Sequence, residues 1–145
     1  MQTICQQIEI NWPVKALFNY VSDISNNAAW QKQVAETVWL GDERNISGAR
    51  FREVMKDSGN DEHALCQITE FVPYQKRSVR TQNQSFSSTS IFEFEPREQG
   101  TVMKLTVQVH SDVVNGPAEP FEAMKFLHER ARDLFRLKEI LELED

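Results

Sequence analysis

The chain closes on one long amphipathic helix, and this limits the possible folds more than any other part of the sequence. From about Pro120 to Glu142, Phe121, Met124, Leu127, Ala131, Leu134, Leu137 and Leu141 recur at helical spacing in one stripe, which Phe126, Phe135 and Ile140 widen. Glu122, Glu129, Arg132, Asp133, Arg136 and Glu139 fall on the other side. A stripe of that width has to be covered by another element. The cover is found upstream, where the sequence from Val34 to His110 runs in stretches of strand length separated by turn-rich clusters, as in successive antiparallel hairpins.

Those stretches have one apolar and one wet side. In Thr101–His110, Met103, Leu105, Val107 and Val109 share a face, opposite Val102, Lys104, Thr106, Gln108 and His110. Around residue 52, the charged Arg50, Arg52 and Lys56 share a parity, which leaves Ala49, Phe51, Glu53 and Met55 for the inner face. Phe86, Ser88, Ser90, Phe92 and Phe94 align in the same way. This is the pattern of an antiparallel sheet covered on one side only. The punctuating turns fall at Gly41–Asn45, Asp57–Asp61 and Pro96–Gly100, with a weaker break at Val72-Pro73-Tyr74. A further strand, with Ile4, Ile8 and Ile10 on one parity, opens the chain. Pro13 then starts a helix carrying Val14, Leu17, Phe18 and Val21, and Ser22-Asp23 ends it and caps a second short helix from Ile24 to Trp30. Ser111 to Pro120 reads as a loop turning at Asn115-Gly116-Pro117.

The fold class is therefore α+β: a curved antiparallel sheet, two short helices and a long C-terminal helix. With 145 residues, 40% of them hydrophobic, one domain spanning residues 1–145 is expected, with no metal or disulfide needed to hold it. A curved sheet closed by one helix readily leaves an internal cavity that admits a small molecule. The net charge of −6 argues against nucleic acid as a partner, since phosphate binding needs clustered Lys and Arg. The N-terminal residues have no signal-peptide pattern, and no apolar run approaches the ~18 residues of a membrane span, so a cytoplasmic protein without stable membrane insertion is expected. The two cysteines, Cys5 and Cys66, form no CxxC and are expected to be reduced, partly buried thiols.

Motifs that would fix a chemistry are missing. His63 and Cys66 are three apart and face opposite sides of a strand, and no HExxH or paired CxxC exists, so no metal site is expected. There is no GxSxG elbow, and neither GxGxxG nor GxxxxGK[ST] occurs, so no cofactor is implied. Two residues carry what catalytic interest there is. Parity sets Glu53 beside Phe51 and Met55, where an apolar setting would favour its neutral form and suit it to acid–base work; a bulge would instead turn it to the rim. His128 follows Met124 by four residues, so it points either into the cavity or along its flank. Arg77 and Arg80 have opposite parities, so one of them can face the interior.

Several short motifs, taken in order, resemble a known family. They are Ile8-Glu9-Ile10-Asn11-Trp12-Pro13, Val21-Ser22-Asp23, Trp30, Gly48-Ala49-Arg50-Phe51-Arg52-Glu53, Ile68-Thr69-Glu70-Phe71-Val72-Pro73, Phe92-Glu93-Phe94-Glu95-Pro96 with Gly100-Thr101, and Leu137-Lys138-Glu139-Ile140-Leu141-Glu142. The chain resembles the START-like (SRPBCC) superfamily, in its polyketide cyclase/dehydrase and lipid-transport branch. The resemblance implies a helix-grip fold, with about seven antiparallel strands and the last helix lying in the concave sheet, and it sets Trp30 near the cavity entrance or as a lock for the short helices. It carries fold much further than chemistry.

The leading expectation is reversible binding of a small hydrophobic molecule: a lipid, an isoprenoid or an aromatic polyketide-like compound. The expected ligand-binding residues are Trp30, Phe51, Met55, Phe92, Phe94, Met103, Leu105, Val107, Met124, Leu127, His128 and Ala131. The alternative is a cyclase, aromatase or dehydratase using Glu53 and His128, with one arginine polarising a carbonyl. A regulatory or chaperone-like partner module ranks last. A monomer or homodimer is expected.

Overall fold

The computed structural model describes residues 2–56, 63–83, 86–110 and 119–143, with side chains from 124 onward in the last stretch. The elements are β1 (Gln2–Ile10), α1 (Val14–Ser22), a short 3-10 turn (Ile24–Asn26), α2 (Asn27–Trp30), β2 (Val34–Leu40), β3 (Arg50–Met55), β4 (His63–Val72), β5 (Lys76–Gln82), β6 (Ser87–Pro96), β7 (Thr101–His110) and α3 (Glu119–Leu143). The clusters at Asp57–Asp61 and Asn115–Pro117, and the side chains of Phe121 and Glu122, lie outside the described residues.

One antiparallel sheet takes the order β1-β7-β6-β5-β4-β3-β2. From β2 to β7 it is a meander, in which each strand pairs with its sequence neighbour. Only β1 breaks that order, pairing with the last strand, Ile4 opposite Val107 and Ile8 opposite Met103. The first and second strands thus form opposite edges, and α1 and α2 carry the chain from one to the other. Pro13 stands at the cap of α1, where its carbonyl accepts the Leu17 N–H at 3.0 Å and its missing N–H costs nothing. Asp23 caps the following turn by accepting the Ser25 N–H at 3.0 Å.

The apolar interior falls into two clusters. The larger joins Ile10, Leu17, Phe18 and Trp30 to Phe92, Phe94, Met103, Leu105 and the α3 residues Leu127, Leu134, Leu137 and Leu141. The smaller holds Ile24, Ala49, Phe51, Cys66, Ile68 and Val79. Helix α3 packs on β1, β7 and α2. Its C-terminal end is fixed by polar contacts: Trp12 Nε1 donates to the Leu141 carbonyl at 3.0 Å, the Asn11 N–H to Glu142 at 2.8 Å, and Lys138 to the Glu9 carbonyl at 2.6 Å.

The stripe of α3 is narrower than its sequence indicates. Phe135 is 55% exposed and Met124 50% exposed, because the seam that meets the sheet runs through Leu127, Leu134, Leu137 and Leu141, and Phe135 lies about 100° around from Leu134. Asp133, assigned to the wet side, is buried at 1% exposure. It accepts the Lys32 N–H at 3.1 Å and pairs with Arg136 at 3.1 Å, and these partners offset its burial. Cys5 is exposed on the edge strand, whereas Cys66 is buried.

Where β1 ends, the β6–β7 hairpin crosses it closely. A Cβ added at Gly100 would lie 2.5 Å from the Ile10 carbonyl oxygen, a backbone atom that cannot move aside. Thr101, the next residue, donates to the Trp12 carbonyl at 2.8 Å, so the crossing also orients the start of α1. Gly100→Ala is expected to cost about 1–3 kcal/mol through overpacking, read as a lowered midpoint in denaturant unfolding.

Candidate functional site

The concave face carries large side chains at one end and small ones in the middle. Register brings Phe51 opposite Cys66, Cys66 opposite Thr81, Glu53 opposite Ala64, and Val79 opposite Ser90. Ala64, Cys66, Thr81 and Ser90 are too short to fill the space that phenylalanines fill at Phe92 and Phe94. A cleft of about 480 Å³ results, between the two apolar clusters. Phe51 and Val79 wall it on one side, Phe86 and Phe92 on another, and Phe126 of α3 closes over it. Phe86 and Phe126 meet edge to face, with centroids 5.1 Å apart, so α3 and β6 share one wall.

A polar group sits within this wall. Glu53 projects inward from β3, next but one to Phe51, and is 8% exposed. Asn27 Nδ2, at the start of α2, donates to its Oε2 at 3.3 Å. Burial pushes the Glu53 carboxyl above the usual carboxylate range, against the opposing pull of Arg130, Asn27, Cys66 and Arg77. Burial also raises the Cys66 thiol well above its ordinary value, with the Glu53 charge adding to it. Cys66 is therefore a neutral thiol near neutral pH, in contact with Thr81 Oγ1 at 3.5 Å, and it lacks the thiolate character of a nucleophile.

Arg77 is the inward arginine of β5, at 3% exposure, whereas Arg80 is exposed. Its guanidinium lies 5.9 Å from the centroid of the Phe51 ring. Burial lowers its pKa to about 10, which leaves it cationic at neutral pH. Among the described residues, its Nε and Nη2 have no hydrogen-bond partner.

The rim is tied by α3. Arg130 donates to Gln31 Oε1 at 2.6 Å and lies 3.7 Å from Asp133, while Asp133 holds the Lys32 N–H. The link between α2 and β2 is thereby fastened to the helix beside the cleft. Burial raises the Asp133 carboxyl above its ordinary value, with Arg130 and Arg136 opposing that shift.

Of the residues expected to bind ligand, Phe51, Met55 and Phe92 line the cleft. Trp30, Phe94, Met103, Leu105, Val107 and Leu127 are buried in the packed core and do not line it. The reason is coverage: α3 fills the β1–β7 end of the concave face, so the open volume shifts toward β3–β5. Trp30 meets Phe92 edge to face at 6.3 Å, which is the locking position. Met124 and His128 are exposed and Ala131 is partly exposed, so none of the three enters the cleft. His128 sits one position beyond the buried Leu127, which turns it outward, far around the helix from any role beside Glu53. Asn27, Ala64, Cys66, Val79 and Arg130 were not anticipated as lining residues. Inward parity on β4 and β5 was the signal for Ala64, Cys66 and Val79; Asn27 and Arg130 depend on how the helices dock. Among the described residues, no group of three His, Cys, Asp or Glu is placed to hold a metal ion, and no helix is long and apolar enough to cross a membrane.

Because the folded pKa of Glu53 is raised, its protonation favours the fold: that contribution is present at low pH and is lost as pH rises through the folded pKa. Glu53→Gln is therefore expected to gain stability over the parent chain progressively as pH rises above the ordinary carboxylate range, as measured by denaturant midpoints in a pH series.

The sequence matches the family described as polyketide cyclase/dehydrase and lipid transport over residues 1–142. No curated protein matches it in sequence. Solved structures with the same fold include a protein from Mesorhizobium loti (14% identity, TM-score 0.77, covering 99% of each chain). A protein from Thermus thermophilus aligns at 16% identity and TM-score 0.77, over 99% of this chain and 100% of that one. A START superfamily protein from Mycobacterium smegmatis aligns at 16% identity and TM-score 0.71, over 96% and 98%. At these identities the likeness is one of fold: the helix-grip arrangement of a curved sheet holding a long terminal helix.

Proposed function

We propose that this chain, which belongs to the polyketide cyclase/dehydrase and lipid transport family, reversibly binds a small, mainly hydrophobic molecule in the cleft between its two apolar clusters. A lipid, an isoprenoid or an aromatic polyketide-like compound has the required character. The observation that carries this reading is the cleft itself, about 480 Å³ between phenylalanine-rich walls, within the size range of small-molecule sites. Burying roughly 300 Å² of ligand apolar surface at ~25 cal/mol per Å² gives about 7–8 kcal/mol before association costs. Binding is the function of a cytoplasmic monomer or homodimer in this reading.

Ala64 offers a direct test, because it is small, buried and part of the wall. Ala64→Phe would fill the cleft from β4. The expected result is at least about a tenfold loss of affinity for a bound fluorescent fatty acid, near 1.4 kcal/mol, with the fold retained by circular dichroism. Undiminished binding would place the ligand elsewhere and defeat the proposal.

A second reading, proton-transfer chemistry on the bound molecule, is favoured by Glu53. A carboxyl held toward its neutral form inside a cleft, with a guanidinium nearby, suits a cyclisation or dehydration. In this reading Glu53 moves the proton and Arg77 polarises a carbonyl, with no part for the exposed His128. Glu53→Gln is expected to abolish turnover of a poly-β-ketone substrate while leaving its affinity within about twofold. Turnover that survives the change removes Glu53 from the mechanism.

A further inference from the structure

Arg77 is a cation in the wrong place for a purely oily site. It is 3% exposed, it lines the cleft, and it stands on the central strand β5 between Phe71 of β4 and Phe92 of β6 in the register. Among the described residues it takes part in no ion pair. Its Nε and Nη2, the adjacent donors along one edge of the guanidinium, are without hydrogen-bond partners and shut off from bulk water. A buried charge with unmet donors is costly, and sites retain such groups where a ligand completes them.

We propose that the molecule held in the cleft ends in a carboxylate, and that Arg77 recognises that carboxylate through its Nε–Nη2 edge. This rests on the ligand-binding reading above and names the chemical class of the ligand. Docking turns the guanidinium about its terminal torsions so that the two free donors meet the two carboxylate oxygens side on, the geometry that distinguishes arginine from lysine. The apolar body of the ligand then lies along Phe51, Val79 and Phe92. The neighbouring groups fit a monoanion of this kind. Glu53 and Cys66 are the acidic groups that act on Arg77; burial disfavours the anion of each, and Glu53 is not within ion-pair distance of the guanidinium. A phosphate dianion fits less well at Arg77, since Arg130, a second guanidinium of the lining, is held by Gln31 and Asp133, and the lysines of the lining, Lys32, Lys56 and Lys125, are exposed at its margin.

The test compares matched pairs differing only at the end group: naphthoic acid with naphthamide, and decanoic acid with decanamide, titrated calorimetrically at neutral pH. The expected result is that each acid binds at least about tenfold tighter than its amide. Arg77→Gln should erase that preference by bringing the affinity of each acid down to that of its amide, with the circular dichroism of the parent chain retained. Arg77→Lys, which keeps the charge and loses the fork, should retain only part of the preference. Arg80→Gln, an exposed arginine on the same strand, should leave it intact. Equal binding of acid and amide by the parent chain overturns the carboxylate assignment and leaves the binding function standing; this comparison needs no variant. A preference that persists in Arg77→Gln but disappears in Arg130→Gln assigns the anion to the rim and overturns the role of Arg77. Failure of all four compounds to bind overturns the ligand-binding reading and this inference together.

Discussion

The seam between α3 and the β1–β7 end of the sheet is the contact on which the rest of the structure depends. Leu127, Leu134, Leu137 and Leu141 are the buried leucines of that helix, and they bury against Ile10, Met103, Leu105 and Val107. Burial of each such side chain is worth about 1.5–3 kcal/mol, so the seam holds the helix at one side of the concave face. One helix of about 10–12 Å diameter cannot also cover strands that lie four or five places along a sheet spaced at ~4.8 Å. The β3–β5 region is consequently left to side chains from the sheet and to α2. Ala64, Cys66, Thr81 and Ser90 are too small for that task, and the uncovered space becomes the cleft.

Polar groups inside that space are held by contacts made elsewhere. Asn27 reaches Glu53 only because Asp23 caps the turn ahead of α2 and the Thr37 hydroxyl donates to the Ile24 carbonyl at 2.7 Å, which docks the turn on β2. Arg130 and Asp133 then fasten the end of α2 to α3. The cleft thus has an inner end with a carboxyl, a neutral thiol and a guanidinium, and a rim braced by ion pairs. Low effective dielectric strengthens every interaction at the inner end and raises the cost of any group left unmatched there. This contrast between a phenylalanine-lined body and a polar inner end gives the cleft a direction.

Period-two and helical patterns were legible because each depends only on neighbouring residues. Met103, Leu105, Val107 and Val109 all face inward as their alternation requires, and so do Phe51 and Glu53. The candidate site was legible only in part. Parity selects the inner face of a strand, but it does not distinguish an inward residue packed under a helix, such as Met103, from one left beside a cleft, such as Phe51. The helix stripe misled at its margins. Met124, Phe135 and His128 lie within the arc that a generous apolar stripe allows, and the actual seam is narrower because it meets a single twisted edge of the sheet. Arg77 and Arg80 could not be ranked from parity alone, since they fall on opposite faces of a polar run from Tyr74 to Gln82 that does not mark which face is inward.

By itself the sequence determined an antiparallel sheet with one apolar face, a Pro-started helix pair after its first strand, and a terminal helix bound to cover that face, because these follow from local periodicity and turn chemistry. Only the tertiary structure decided which part of the face the helix covers, and therefore where the cleft lies and that Glu53, Cys66 and Arg77 meet inside it. Those outcomes depend on strand order, on β1 pairing with β7, and on the close crossing at Gly100, which bring together residues far apart in the chain and leave no local mark in the sequence.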